Sequence, residues 1–204
     1  ITDSKGNEIA VIIPGDAITT LPQLAKDGFK ADMVFLDIPY ETAGQKGGKE
    51  GKDSFRRLAD YNLISPKDFE IVVKAVEDIV RDDDTPVIYM YAKGKTSSKE
   101  MQEYTNILAN SSFKVIAQGD YYKVNKDGEV LNLPMRTMES GEKMPPEGIL
   151  VFSKSGEVQE KINDADLQFK LRRPTGYKTE KPAEMIAKMI EMTTEEGDIV
   201  LDPF

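Results

Sequence analysis

The sequence predicts an α/β fold built on a mostly parallel sheet, with an antiparallel edge hairpin and helices on both faces. Three observations predict it. Short apolar runs rich in β-branched residues alternate with segments whose apolar residues recur every three or four positions, the periods of strands and helices. Runs such as Ala31 to Leu36 and Val87 to Tyr91 carry apolar residues almost throughout, as strands covered on both faces do. Between Gly119 and Gly156 the alternation breaks and two strands follow each other without a helix, which suggests an antiparallel pair at one edge.

In chain order, Ile9-Ala10-Val11-Ile12-Ile13 reads as a first strand closed by the turn Pro14-Gly15-Asp16. Thr19 or Thr20 caps a helix with Leu21, Leu24 and Ala25 on one face, and Gly28 stops it. With the strand Ala31 to Leu36 this makes a βαβ unit, for which a right-handed parallel crossover is expected. Past Tyr40 the glycines Gly44, Gly47, Gly48 and Gly51 fall among lysines, and a mobile loop is expected over about 41–54. A short helix from Phe55 to Leu63 follows.

Ser65 and Pro66 then start a helix running to about Arg81, with Phe69, Val72, Val73, Val76 and Val80 inward. Asp82-Asp83-Asp84 ends it as a solvated turn. Val87 to Tyr91 is a strand; Ser97 or Ser98 opens a helix carrying Met101, Tyr104, Ile107 and Leu108 inward; Phe113 to Ile116 is a strand again. Tyr121 to Val124 and Gly148 to Ser153 are the successive strands, separated by the polar stretch Asn125 to Pro146, and Asp164 to Gly176 is a polar connector. A helix opened by Thr179-Glu180-Lys181-Pro182 gathers Met185, Ile186, Met189, Ile190 and Met192 on one side and stops at Gly197. Asp198 to Phe204 reads as a final buried strand. No repeat or second domain is visible, so 1–204 reads as one domain; beginning at Ile1 and stopping at Phe204, it reads as a piece of a longer chain.

Composition narrows the chemistry. The 204 residues include no cysteine and no histidine, which excludes disulfides, Cys/His zinc sites, cysteine nucleophiles and a histidine base. A net charge of −9 argues against a broad basic face for nucleic acid. Two local patches remain: Lys46, Lys49, Lys52, Arg56 and Arg57, and the run Lys170-Leu171-Arg172-Arg173, each of which also reads as a solvated face. No apolar run is long enough for a bilayer and no leader precedes the domain, so no membrane partner is expected. No metal site is expected either.

The candidate site is Asp37-Ile38-Pro39-Tyr40. It closes the apolar run from Ala31, and ligands in open α/β sheets collect beyond the carboxyl ends of strands. Taken alone, the four residues read sooner as a turn in which Asp37 caps and Tyr40 covers a core edge. Gly15-Asp16, Thr179-Glu180-Lys181-Pro182 and Asp202-Pro203-Phe204 join them in order along the chain.

In this combination the sequence resembles the S-adenosylmethionine-dependent DNA amino methyltransferases of the beta class, in which the Asp/Asn-Pro-Pro-Tyr motif precedes Thr-x-Lys-Pro and Asp-Pro-Phe. Tyr121-Tyr122-Lys123 and Glu147 to Lys154 are similar to that family's hairpin. Ile38 stands where the family usually has proline. The resemblance covers nearly the whole chain and implies a Rossmann-like methyltransferase sheet. It also implies methyl transfer from S-adenosyl-L-methionine to the exocyclic amine of a flipped-out base in DNA. Adenine N6 is the implied acceptor, since serine often replaces the motif acid in the cytosine enzymes.

Asp37, Ile38, Pro39 and Tyr40 are then the implied catalytic clamp, with the Asp37 side chain and Ile38 carbonyl accepting the amine hydrogens and Tyr40 stacking on the base. Asp16, Ala17, Asp37, Thr179, Lys181, Pro182, Asp202, Pro203 and Phe204 are the implied cofactor residues. The two basic patches, as Lys46, Lys49, Lys52, Arg56, Arg57, Arg172 and Arg173, are the candidates for nucleic acid. The interval from Lys154 to Thr179 is short for a target-recognition domain, so recognition is expected from another domain or a partner subunit. Cytoplasmic location in a bacterium or phage-infected cell follows from the same likeness. A catalytically inactive methyltransferase-like subunit, acting as a binding or assembly module, is the alternative.

Overall fold

A six-stranded sheet is the spine of the computed structural model, which describes residues 10–39, 64–93, 98–131, 143–172 and 180–204. In chain order the elements are α1 (Ala17–Lys26), β1 (Met33–Leu36), α2 (Pro66–Ile79), β2 (Val87–Ala92), α3 (Ser98–Ala109), β3 (Lys114–Val124), β4 (Glu147–Ser153), β5 (Gln168–Arg172), α4 (Ala183–Thr193) and β6 (Val200–Leu201). Across the sheet the order is β5-β3-β4-β2-β1-β6. β1 pairs in parallel with β2 and β6, β3 pairs in parallel with β5, and β4 alone runs the other way, between β2 and β3.

Alternation along each strand divides the core between two faces. Val34, Leu36, Tyr89, Leu150 and Phe152 point to the face where α1, α2 and α3 supply Leu21, Phe69, Val72, Val76, Tyr104 and Leu108. Met33, Phe35, Ile88, Met90, Ile149 and Val151 point to the other, where α4 supplies Met185 and Met189. Helices on both faces and a mostly parallel sheet are therefore as expected, and the methionine stripe is core. No helix among the described residues is long and apolar enough to cross a membrane.

Local chemistry accounts for the helix starts. The Ser65 side chain accepts from the Asp68 backbone N–H at 3.2 Å and Pro66 occupies the first turn, where its missing donor costs nothing. α1 is capped by Asp16, which accepts from Ile18 N at 3.0 Å, and not by Thr19 or Thr20. A carboxylate satisfies the free N–H groups of a first turn and faces the positive end of the helix, so the acid after Gly15 displaces both threonines as the cap.

Several expectations give way. Ala10 to Pro14 form no strand, and Ile12 is 78% exposed. β-propensity describes fit to a pleated, half-buried surface, and Val11 and Ile12 stand largely in solvent, so the propensity finds no such surface here. The expected βαβ unit is consequently absent, and β1 takes its parallel partners from β2 and β6. The strands at Phe113 to Ile116 and Tyr121 to Val124 are one continuous β3, interrupted only by a bulge between Val115 and Ala117. Gly119 does not end it: a Cβ there would lie 2.2 Å from the Leu167 carbonyl oxygen, so glycine admits a close crossing segment.

Gln168 to Arg172, within the expected connector, form β5, which adds a strand outside the antiparallel pair. β6 is two residues long and partly open to solvent, since among the described residues it pairs only with β1. The loop at 41–54 and the helix from Phe55 to Leu63 lie outside the described residues.

Gly119→Ala is expected to destabilise the fold by about 1–3 kcal/mol, because the added methyl meets backbone and not a flexible side chain. Urea denaturation checks this; an unchanged midpoint would remove the close crossing as the reason for glycine.

Candidate active site

Asp37 lies two residues beyond Phe35, and the period of the strand carries its side chain to the α4 side of the sheet. Lys181 lies two residues before α4, whose Met185 and Met189 anchor the helix on that same face. The two side chains meet, Lys181 Nζ standing 2.7 Å from Asp37 Oδ2. β4 runs opposite to its neighbours, so its first residue, Glu147, arrives at the end of the sheet where β1 and β2 finish. Glu147 Oε2 lies 3.4 Å from the same Lys181 ammonium, and Glu147 Oε1 pairs with Lys123 near the end of β3. The result is a chain of alternating charge, Asp37, Lys181, Glu147, Lys123, drawn from four elements that are distant in sequence.

Little of it is open to water: 16% of the Lys181 side chain and 28% of that of Asp37 are exposed. Burial pushes the Asp37 carboxyl above its ordinary range, against the opposing pull of Lys181. Burial is also the largest single influence on Glu147 and acts upward, but Lys181 and Lys123 together outweigh it and hold that carboxyl low. Lys181, which burial alone would lower, is raised by its two carboxylates. Asp202, following β6, is pushed up by burial and to a smaller degree by the Asp37 charge, while the Phe204 N–H, donating to it at 3.2 Å, works against the rise.

Two backbone features fix the exit of β1. Ile38 turns its side chain away from Asp37 into the core on the α1–α3 face, where it is 2% exposed. The Pro39 carbonyl accepts from Ile64 N at 3.0 Å, tying the exit to the start of α2. On the other side of the sheet Lys93 pairs with Asp120 and lies 5.7 Å from the centroid of the Tyr91 ring. A Cβ at Gly148 would lie 2.3 Å from that ring, so the aromatic rests on bare backbone.

Of the residues singled out in the sequence, Asp37, Lys181 and Asp202 are brought into electrostatic contact, and Pro182 is the buried cap of α4. Pro203 and Phe204 follow Asp202 at the sheet edge, where Phe204 is 38% exposed. Asp16 and Ala17 form the start of α1, and the hydrogen bonds of Asp16 go to its own helix. Arg172 stands exposed at the end of β5. Tyr40, Lys46, Lys49, Lys52, Arg56, Arg57, Arg173 and Thr179 lie outside the described residues. Among the described residues no cluster of three or more acids is placed to hold a metal ion.

Glu147 and Lys123 were not read as site residues. Their signal was an acid opening an apolar strand and a lysine near the end of its neighbour, a pair that matters only if one of two successive strands is reversed.

A family profile described as DNA methylase matches residues 31–204. The chain belongs to this DNA methylase family. Solved structures similar to the methylase include the M1.HpyAVI–SAM complex, at 19% identity and a TM-score of 0.61, covering 94% of this chain and 81% of that one. A second is the cytosine-N4-specific PvuII DNA methyltransferase, at 14% identity and 0.59, covering 92% and 71%. A third is a putative DNA modification methylase from Thermus thermophilus complexed with S-adenosyl-L-methionine, at 17% and 0.53, covering 93% and 78%. No curated protein sequence gives a significant match. At these identities the structural likeness speaks for the fold, and the family resemblance drawn from the motifs is borne out by the profile.

The charge chain makes stability depend on pH in a definite sense. Glu147, with its folded pKa depressed, contributes stability that is present above its unfolded pKa and lost as pH falls through the folded one. Asp37, with its pKa raised, contributes in the opposite sense, so the two oppose each other in the wild type. Lys181→Met would leave both carboxylates without this cation. A loss of about 3–5 kcal/mol is expected near neutral pH, at the upper end only if Asp37 cannot relax toward solvent. The deficit should shrink on acidification as the stranded carboxyls protonate. Melting temperatures at pH 5 and pH 7.5 check this, and an equal deficit at both would refute the coupling.

Proposed function

We propose that this DNA methylase transfers a methyl group from S-adenosyl-L-methionine to the exocyclic amine of a flipped-out base in DNA, with adenine N6 as the acceptor. The observation that carries the proposal is the Asp37–Lys181 pair at the buried carboxyl end of β1, beside the Ile38 backbone. The amine lone pair of a base is delocalised into the ring. Asp37 accepts one amine hydrogen and the Ile38 carbonyl another, drawing the nitrogen toward a tetrahedral geometry with a localised pair. Among the described residues no hydrogen bond occupies that carbonyl. The proton that the amine must shed leaves along the bond to Asp37, whose carboxyl burial holds above its ordinary range and so makes it a better acceptor than a solvated aspartate. No histidine is needed.

The residues present fit the cofactor. An ammonium and two carboxylates, Lys181, Asp37 and Asp202, stand where the adjacent parallel strands β1 and β6 end, complementary to the charged amino-acid end of such a molecule. The exposed Phe204 ring offers a flat apolar surface nearby in the chain. Asp16, Ala17, Asp37, Thr179, Lys181, Pro182, Asp202, Pro203 and Phe204 would hold it; when bound it supplies an electrophilic methyl on a sulfonium. Tyr40 would stack on the extruded base, a contact worth about 1–3 kcal/mol.

Phosphates would meet Lys46, Lys49, Lys52, Arg56, Arg57, Arg172 and Arg173, while sequence recognition would come from another domain or a partner subunit. The choice of adenine rests on the acid at Asp37, where the cytosine enzymes often carry serine.

Asp37→Ala is expected to reduce methyl transfer at least 100-fold while titration calorimetry still detects cofactor binding; an active variant would sink the proposal. Arg172→Ala should weaken DNA binding similarly on all sequences and flatten the slope of log K against log salt by about 1. A slope unchanged in fluorescence anisotropy would take Arg172 out of the phosphate interface.

A further inference from the structure

We infer that Glu147 is a positioning residue that shares the Lys181 ammonium with Asp37 and draws it off the Asp37 carboxylate when an amine hydrogen arrives there. The inference rests on the methyl-transfer reading of the site. Lys181 Nζ sits 2.7 Å from Asp37 Oδ2, so the cation already engages the carboxylate that the proposed amine must reach. A carboxylate bound to an ammonium is a weaker acceptor for a neutral amine, and a buried ammonium cannot simply leave, because an unpaired charge in this setting is costly. It needs a second anion within reach.

Glu147 Oε2 is that anion, at 3.4 Å. The distance is long for an N–H···O bond, so the ammonium lies toward Asp37 with somewhere to go. Lys181 has three donors and can keep both carboxylates in contact through the shift.

The receiving group is itself held in place. Glu147 opens β4, where its backbone is paired with Tyr121 on one side and Ala92 on the other. Its second oxygen is engaged by Lys123, which leaves Oε2 facing Lys181. Two carboxylates and two ammoniums sum to zero, so Lys181 moves from one partner to the other without changing the net charge of the cluster. Lys123 keeps Glu147 ionised during the exchange.

The test is the single-turnover rate of DNA methylation by the full-length protein across pH, with S-adenosyl-L-methionine saturating. The charged groups facing Asp37 are Lys181 before α4, Glu147 on β4, Lys123 on β3 and, more weakly coupled, Asp202 after β6. Asp37 accepts only as the carboxylate, so the rate climbs as pH rises through its pKa. The Glu147 charge raises that pKa and the Lys123 charge lowers it.

Glu147→Gln is therefore expected to slow transfer about tenfold, the worth of one charge-assisted hydrogen bond, and to move the acid limb to lower pH. The cofactor Kd should stay within about twofold. Glu147→Asp should restore part of the rate and return the limb. Lys123→Gln should move the limb the other way, and this carries the test should Glu147→Gln fail to fold. A slower Glu147→Gln with an unmoved limb marks a merely structural role and overturns the inference, as does an unchanged rate. A wild type that transfers no methyl overturns the reaction itself and the inference with it, whereas an active wild type with an indifferent Glu147→Gln overturns the inference alone.

Discussion

Everything in this domain is arranged about the double burial of β1. Met33, Val34, Phe35 and Leu36 are all buried, alternately against α4 and against the α1–α3 layer, and the strand is hydrogen-bonded on both edges. Each such side chain contributes about 1.5–3 kcal/mol by leaving water, which together outweighs the cost of holding a few partly solvated charges nearby. A strand enclosed in this way can host polar chemistry only where it enters and where it leaves. At the entry Asp32 accepts from Arg81 and from Ile199 N at 2.9 Å, and the Arg81 bond above all holds its carboxyl below the ordinary range. That polar clamp joins the ends of α2 and β6 to β1. At the exit stand Asp37 and Lys181. The same burial that fixes the strand thus also fixes where a mostly buried, paired carboxylate can stand.

What the sequence disclosed follows from which forces are local. α2 was legible because its cap, its first-turn proline and its apolar stripe all lie within one short segment. β1 and β2 were legible because continuous apolar runs have few other destinations. Ile12 was misread since the same residues would form a strand only if another strand lay beside them, and propensity carries no information about neighbours. β5 was missed although its pattern alternates, with Phe169 buried and Gln168 and Lys170 exposed, because its two apolar residues sit in a basic run that reads as a solvated connector. The site was half legible. Asp37 and Lys181 could be singled out by likeness to a family, and the hairpin that carries Lys123 and Glu147 was expected as well, but that its end lies beside Lys181 depends on β4 pairing with β2, which only the assembled sheet reveals.

Ile38 illustrates how one position can serve two purposes. The family pattern usually has proline there, yet the side chain here fills the α1–α3 core while the backbone beside Asp37 remains an acceptor. Core packing and the proposed contact with the amine address opposite sides of the same residue, so isoleucine fills the core and leaves the proposed acceptor in place. The acidic balance of the chain is compatible with this site for a similar reason: the charge chain is neutral in itself and owes nothing to the net −9 spread over the rest.

The bulge between Val115 and Ala117 has a reach well beyond its own turn of backbone. Below it Val115 faces Phe152; above it Ala117 faces Val151 and Tyr121 faces Glu147. The single extra residue sets the parity of the upper strand, and with it the side of the sheet on which Lys123 emerges. Because Val115 and Ala117 already face successive residues of β4, deleting the residue between them would close the bulge and leave Tyr121 opposite Glu147, whereas pairing all three residues in turn would shift the upper register by one and carry Lys123 to the opposite layer. For this stretch of chain, then, place matters more than length: a one-residue deletion is absorbed at the bulge, while the same deletion between Ala117 and Lys123, with the bulge kept, inverts the side on which the lysine emerges.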